Sequence, residues 1–170
     1  SAIVYENTRA LPRAYLVDEV VATPDTTAAL EMIGSPDFDV RRTAVVYGSL
    51  PRNLSEGELS GTAEVTEYTP DRVVVRTTAS REALLVLADN YFPGWHATVN
   101  GEDTPILRTN HTFRGVIVPA GEAEVVFDFR PSDFYFGFYI YLIGLALLAG
   151  SAGWLLLSRR RATQVSRAPV

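Results

Sequence analysis

The sequence contains no cysteine, which removes disulfides, thiolate metal sites and thiol nucleophiles together and leaves core packing as the source of stability. It also contains no lysine, since all 15 basic residues are arginine, a bias attributed here to codon usage in a GC-rich genome rather than to chemistry. Histidine is limited to His96 and His111, and two imidazoles with no evident third ligand make a weak metal site. Neither a Gly-rich phosphate loop nor a strand-turn-helix nucleophile motif occurs. No cofactor is implied, and no residue is assigned to catalysis or to a metal.

Basic charge is missing where a nucleic acid would need it. Up to Asp133 there are 11 arginines against all 20 acidic residues (11 − 20 = −9), while the last residues carry Arg159, Arg160, Arg161 and Arg167 with no acid. The net charge of −5 therefore hides two opposite parts. An acidic domain without a basic face offers no phosphate-neutralising surface, so nucleic acid is excluded as a partner.

What is present is a long apolar run. From Phe134 to Leu157 no residue is charged, and a helix of that length spans roughly 36 Å, enough to cross a bilayer with some tilt. Aromatic residues gather at its start, from Phe134 to Tyr141, and Trp154 lies near its end, matching the preference of amphipathic rings for both membrane interfaces. The arginine cluster follows at once. Because basic residues stay on the cytoplasmic side, residues 1–131 are expected to be an extracytoplasmic domain, 132–158 a transmembrane helix and 159–170 a cytoplasmic tail. The competing reading, a buried helix in a soluble protein, expects a shorter stretch broken by polar positions. Ala146 with Gly150, and Ala149 with Gly153, have the spacing that lets helices approach closely, which suggests other transmembrane helices of a parent chain as partners alongside the lipid bilayer. The opening residues show no signal-peptide pattern. A domain outside the cytoplasm needs an export signal upstream, so the sequence is expected to be a fragment.

The part before the helix reads as mainly β. Strands are expected at Ala14 to Val21, Thr43 to Tyr47, Ala63 to Tyr68, Arg72 to Thr78, Leu84 to Ala88, Trp95 to Val99, Thr104 to Leu107, Thr112 to Val118 and Ala123 to Arg130. One short α-helix is expected after Thr23 as N-cap and Pro24 at the first helical position, ending at Gly34 and Pro36. A polar loop lies around Pro51 to Gly61, Asn100-Gly101 signals a two-residue hairpin, and the wholly apolar run at Leu84 marks a central strand. Together these favour an antiparallel β-sandwich followed by a single C-terminal transmembrane helix.

Five residues are candidates for contact with a glycan or a phosphate: Asp89, Tyr91, Trp95, Asn110 and Arg114. Tyr91 and Trp95 could stack on a sugar ring, or they could close the end of the sandwich around the Pro93-Gly94 turn, which is the favoured reading. Arg114 could grip an anion through its planar fork. A structural pair between Asp89 and Arg114, with Asn110 fixing a turn, is the favoured alternative. Asp37 and Asp39 flank Phe38 in a polar loop, which specifies neither the separation nor the environment that acid-base work requires.

The run Leu87-Ala88-Asp89-Asn90-Tyr91-Phe92-Pro93-Gly94-Trp95, then Val99-Asn100-Gly101, Arg108 to Arg114, Val118-Pro119-Ala120-Gly121 and Phe127-Asp128-Phe129-Arg130-Pro131, resembles the C-terminal part of the YfhO-like bacterial membrane proteins. The similarity continues into the membrane helix and reaches upstream to Asp37-Phe38-Asp39 and Val45. The resemblance implies a polytopic glycosyltransferase that moves sugar from a polyprenyl-phosphate donor to a cell-envelope glycan or lipid, with its catalytic acids in an N-terminal half not contained in this sequence. The chain would then be an accessory region. The alternative is a non-catalytic, membrane-anchored structural or carbohydrate-binding module whose parent is not an enzyme, and a self-contained anchored hydrolase finds no nucleophile or metal constellation to support it.

Overall fold

The structure, a computed structural model, describes residues 10–51, 54 and 57–165. The chain divides into two compact units after Arg130. Among its described residues the first contains eleven strands and one helix: β1 (Ala14–Val17), β2 (Glu19–Thr23), α1 (Thr26–Ile33), β3 (Thr43–Tyr47), β4 (Gly61–Tyr68), β5 (Arg72–Ala79), β6 (Ala83–Asn90), β7 (Trp95–Val99), β8 (Glu102–Thr104), β9 (Leu107–Thr109), β10 (Phe113–Val118) and β11 (Gly121–Phe129). The second unit contains α2 (Ser132–Val165).

The strands form two sheets, one in the order β1-β6-β10-β9-β3-β2 and the other in the order β4-β5-β11-β7-β8. Their facing sides share one core. Leu85, Leu87, Val116 and Val118 from the first sheet meet Val73, Val75, Val99, Val125 and Phe127 from the second. The mainly-β expectation with one short helix and an apolar C-terminal helix therefore holds, and the central position assigned to the Leu84 run holds with it. Leu84 to Leu87 are fully buried because β6 lies between β1 and β10 and both of its faces meet apolar side chains. Residues of odd and even number go to different cores, as the period-2 pleat requires.

The second core explains the shape of the six-stranded sheet. Tyr15, Val17, Ala44, Val46, Leu84, Val86 and Ile117 cluster on the side away from the five-stranded sheet. β1 and β2 occupy opposite edges of that sheet, yet only Asp18 separates them. The sheet must therefore roll until its edges meet, enclosing this second core inside the curl. The single strand expected from Ala14 to Val21 is corrected accordingly. At Asp18 the chain leaves its antiparallel partner β6 and joins β3, with the Asp18 and Glu19 N–H groups both donating to the Arg42 carbonyl (3.1 and 2.9 Å). β2 runs parallel to β3, so the antiparallel pattern has one exception, made possible by α1 as the crossover between them.

Other boundaries also shift. Asp25, not Thr23, caps α1: its carboxylate accepts the Thr27 N–H at 2.8 Å, while the Thr23 hydroxyl accepts the Asp25 N–H at 3.2 Å. The strand expected at Thr104 to Leu107 is broken in its middle: Thr104 ends β8 and Leu107 begins β9, and in the gap between them Pro105 supplies no N–H for a ladder. Asn100 and Gly101 have φ of +52° and +84°, as a two-residue hairpin turn of the primed type requires. Of the loop expected at Pro51 to Gly61, residues 52, 53, 55 and 56 lie outside the described residues, as does the end of the tail from Ser166.

Gly115 on β10 is needed for close packing. A Cβ there would collide with the Thr109 hydroxyl oxygen and come within 3.2 Å of Leu84 Cδ1, and that hydroxyl is already committed to the Leu107 carbonyl at 3.1 Å. Gly115→Ala is expected to destabilise the β-domain by about 1–3 kcal/mol, visible as a lower urea midpoint with an unchanged slope.

In the second unit, α2 continues through Val165, so the basic stretch expected to be a tail begins as helix. The window Phe134–Ser151 has a mean hydropathy of 1.7, and none of it is buried within the chain. That length and composition make it a candidate membrane span.

Candidate functional site

The candidate site lies at the end of the β-domain where β6 passes into β7. A β-bulge between Phe113 and Arg114 offsets β10 against β6, pairing Arg114 with Leu87 and Phe113 with Asn90. Arg114 thus shares a face with Leu87, and Asp89, two residues on, shares it too. That face looks into the space between the sheets. A long cationic side chain is forced into an apolar interior, and the surrounding residues show how this is tolerated.

Only 3% of the Arg114 side chain is exposed. Its Nη2 donates to Asp89 Oδ2 at 3.0 Å, and its guanidinium carbon lies 3.9 Å from the Trp95 ring centroid and 5.4 Å from that of Phe127. Nε and Nη1 are buried without hydrogen-bond partners, so beyond Asp89 the charge relies on the ring faces. Burial pushes the Arg114 guanidinium below its usual value, opposed by the negative charge of Asp89. It remains a cation, because arginine does not release its proton in proteins.

Asp89 is the hub. Its Oδ1 accepts from Arg13 Nη1 at 2.7 Å and from the Tyr68 hydroxyl at 3.5 Å, while Oδ2 takes Arg114. Arg13 also donates to the Tyr68 hydroxyl at 2.7 Å and lies over its ring at 4.5 Å. Arg13 stands just ahead of β1, Tyr68 ends β4, and Asp89 lies near the end of β6. The cluster therefore ties the two sheets together at one end. Both oxygens of the carboxylate accept from an arginine, so proton abstraction at either one would compete with an ion pair.

Three of the five candidates, Asp89, Trp95 and Arg114, are thus brought into one cluster. Tyr91 lies in the adjacent turn and is 40% exposed, with its N–H donating to the Thr112 carbonyl. Asn110 serves elsewhere. Its Oδ1 accepts the Val45 N–H at 2.9 Å, its own N–H donates to the Val45 carbonyl at 2.8 Å, and Nδ2 reaches the Tyr15 hydroxyl at 3.5 Å. Burial raises the Tyr15 hydroxyl pKa, and the Asn110 bond works in the opposite direction. Arg13, Tyr68 and Phe127 were not singled out by sequence reasoning, because their membership depends on the pairing of β1 with β6 and on the stacking of the sheets, neither of which leaves a local spacing signal.

His96 is exposed and lies 3.2 Å from the Gly94 carbonyl, while His111 Nδ1 lies 3.3 Å from the Tyr47 hydroxyl. Among the described residues no group of three or more His, Asp or Glu side chains is placed to hold a metal ion. Asp39 Oδ1 accepts the Arg41 N–H at 3.0 Å, a loop-fixing bond.

A family model described as bacterial membrane protein YfhO matches residues 57–141, which is half of the chain. The match runs from just before β4 into the first turns of α2 and includes all five candidate residues. No curated protein and no solved structure matches the chain.

Proposed function

The chain belongs to the YfhO family of bacterial membrane proteins, and on that basis we propose that its β-domain is a non-catalytic accessory module of a larger membrane glycosyltransferase. The module stands outside the cytoplasm. The parent transfers sugar from a polyprenyl-phosphate donor to a cell-envelope glycan or lipid, and the module braces the membrane core or positions the acceptor.

The observation that carries the non-catalytic part is the pairing of both Asp89 oxygens with arginine, Arg13 at Oδ1 and Arg114 at Oδ2, with the Tyr68 hydroxyl beside Arg13. An acidic residue held by two arginines is a cross-link rather than a reagent. The sidedness rests on Arg159, Arg160 and Arg161, which follow the apolar window and favour the cytoplasmic side. Sugar transfer rests on the ordered resemblance of residues 87–131. Of the candidates for glycan contact, Tyr91 is the best placed, since Trp95 already has one face covered by Arg114.

The test is a transfer assay in membranes of a strain lacking the gene, with the complete reading frame and the 170-residue chain expressed separately and supplied with radiolabelled polyprenyl-phosphate sugar. Label is expected in envelope glycan with the complete protein only. Transfer by the 170-residue chain alone would remove the accessory reading. No transfer by the complete protein would remove the transferase and leave an anchored structural or carbohydrate-binding module.

A further inference from the structure

Phe92 is the most exposed large apolar side chain among the described residues ahead of α2, at 61%, with Tyr91 beside it at 40%. A phenylalanine in that state leaves most of its apolar ring in water. Its ring lies 6.4 Å from that of Phe129, which in turn lies 5.3 Å from Trp95.

The turn carrying these rings is fixed in position. Gly94 takes φ of +102°, a conformation open to glycine, which lets the chain reverse immediately after Pro93. Its carbonyl accepts the Arg130 N–H at 2.7 Å, and the Phe92 carbonyl accepts the Trp95 N–H at 3.4 Å. The Tyr91-Phe92-Pro93-Gly94 turn is thus bonded to the last residue of the β-domain. Arg130 projects beside it, its side chain 70% exposed and paired with Asp128 at 3.1 Å.

Covalent continuity says what covers these rings. Phe129 is three residues from Ser132, where α2 begins, and the apolar window opens at Phe134. Three residues reach at most about 11 Å, and the headgroup layer on each side of the hydrocarbon is roughly 5–8 Å thick. A turn bonded to Arg130 cannot lie far from that layer. Aromatic rings and arginine are also the side chains that settle there, ring toward the acyl boundary and guanidinium toward the phosphates.

We infer that the Tyr91–Gly94 turn, with Phe92 at its tip and Arg130 at its side, is a second membrane contact of the β-domain, seated in the lipid headgroup layer. This contact does not depend on sugar transfer by the parent.

The absence of cysteine makes the test direct. The 170-residue chain carrying Phe92→Cys, and separately Glu122→Cys, is labelled with an environment-sensitive fluorophore and reconstituted into phosphatidylcholine vesicles containing nitroxide lipids labelled at the headgroup or high on the acyl chain. Glu122 is exposed near the opposite end of β11, about 20 Å or more along the strand from Phe129. Quenching several-fold stronger at position 92 than at position 122 is expected, and Tyr91→Cys should follow position 92. Equal quenching at both ends, or none at positions 91 and 92, would overturn the inference. Loss of transfer activity without loss of this quenching pattern would leave it standing.

Discussion

Asp89→Asn is expected to destabilise the β-domain by about 3–5 kcal/mol, the cost of leaving a buried charge without its partner. The substitution preserves shape, removes the negative charge and turns one of the two acceptor oxygens into an NH2 donor. Arg114 then keeps its guanidinium in an interior where Nε and Nη1 already lack hydrogen-bond partners, and the Trp95 and Phe127 faces return only about 0.5–2 kcal/mol. Arg13 loses less, because half of its side chain is in water. The measurement is urea unfolding of the chain in detergent, followed by Trp95 fluorescence in a Trp154→Phe background. The double variant Asp89→Asn with Arg114→Met should recover much of the loss, since an apolar side chain of similar length needs no counter-charge. A single-variant loss below about 1 kcal/mol, the range of a surface ion pair, would mean that Asp89 does not compensate Arg114.

Asn110→Ala is expected to cost about 2–4 kcal/mol through two separable effects. The residue has φ of +44°, which a side chain with a plain Cβ adopts at a cost of about 1 kcal/mol or more. Its side-chain oxygen also satisfies the buried Val45 N–H, and orphaning that donor costs about 1–3 kcal/mol. Asn110→Gly relieves the first effect and keeps the second. The same urea experiment should therefore rank native, Gly and Ala in falling order of stability, and equal midpoints for Gly and Ala would show that the backbone conformation carries no cost.

Much of the β-domain could be read locally. β3 and β7 were legible because β-branched and aromatic residues fill most of their positions, and the Asn100-Gly101 turn because its backbone requirement admits few residue types. The errors share a cause. Ala14 to Val21 is uniformly β-forming, and nothing within it reveals that Val17 pairs with Leu84 while Glu19 pairs with Thr43. That break is set by distant partners. Ile106 and Leu107 belong to an apolar stretch that resembles one strand, but Pro105 divides it. At the site, Asp89 and Arg114 stand out as charges beside apolar strands. Arg13 and Tyr68 do not, because an arginine before an edge strand and a tyrosine at a hairpin end are ordinary surface residues until the sheets are stacked.

The rolling of the six-stranded sheet limits how the domain can be approached. A flat sheet of this kind would present two open backbones to any extended peptide. Here the two outer strands are consecutive pieces of chain that meet at Asp18, so the two edges converge at that corner. In the other sheet, β8 offers three residues, Glu102-Asp103-Thr104, and then Pro105, a short acidic margin that discourages pairing. The other edge of that sheet, β4, is eight residues long with mostly exposed side chains, which makes it the longest margin on this domain for an extended partner to pair with.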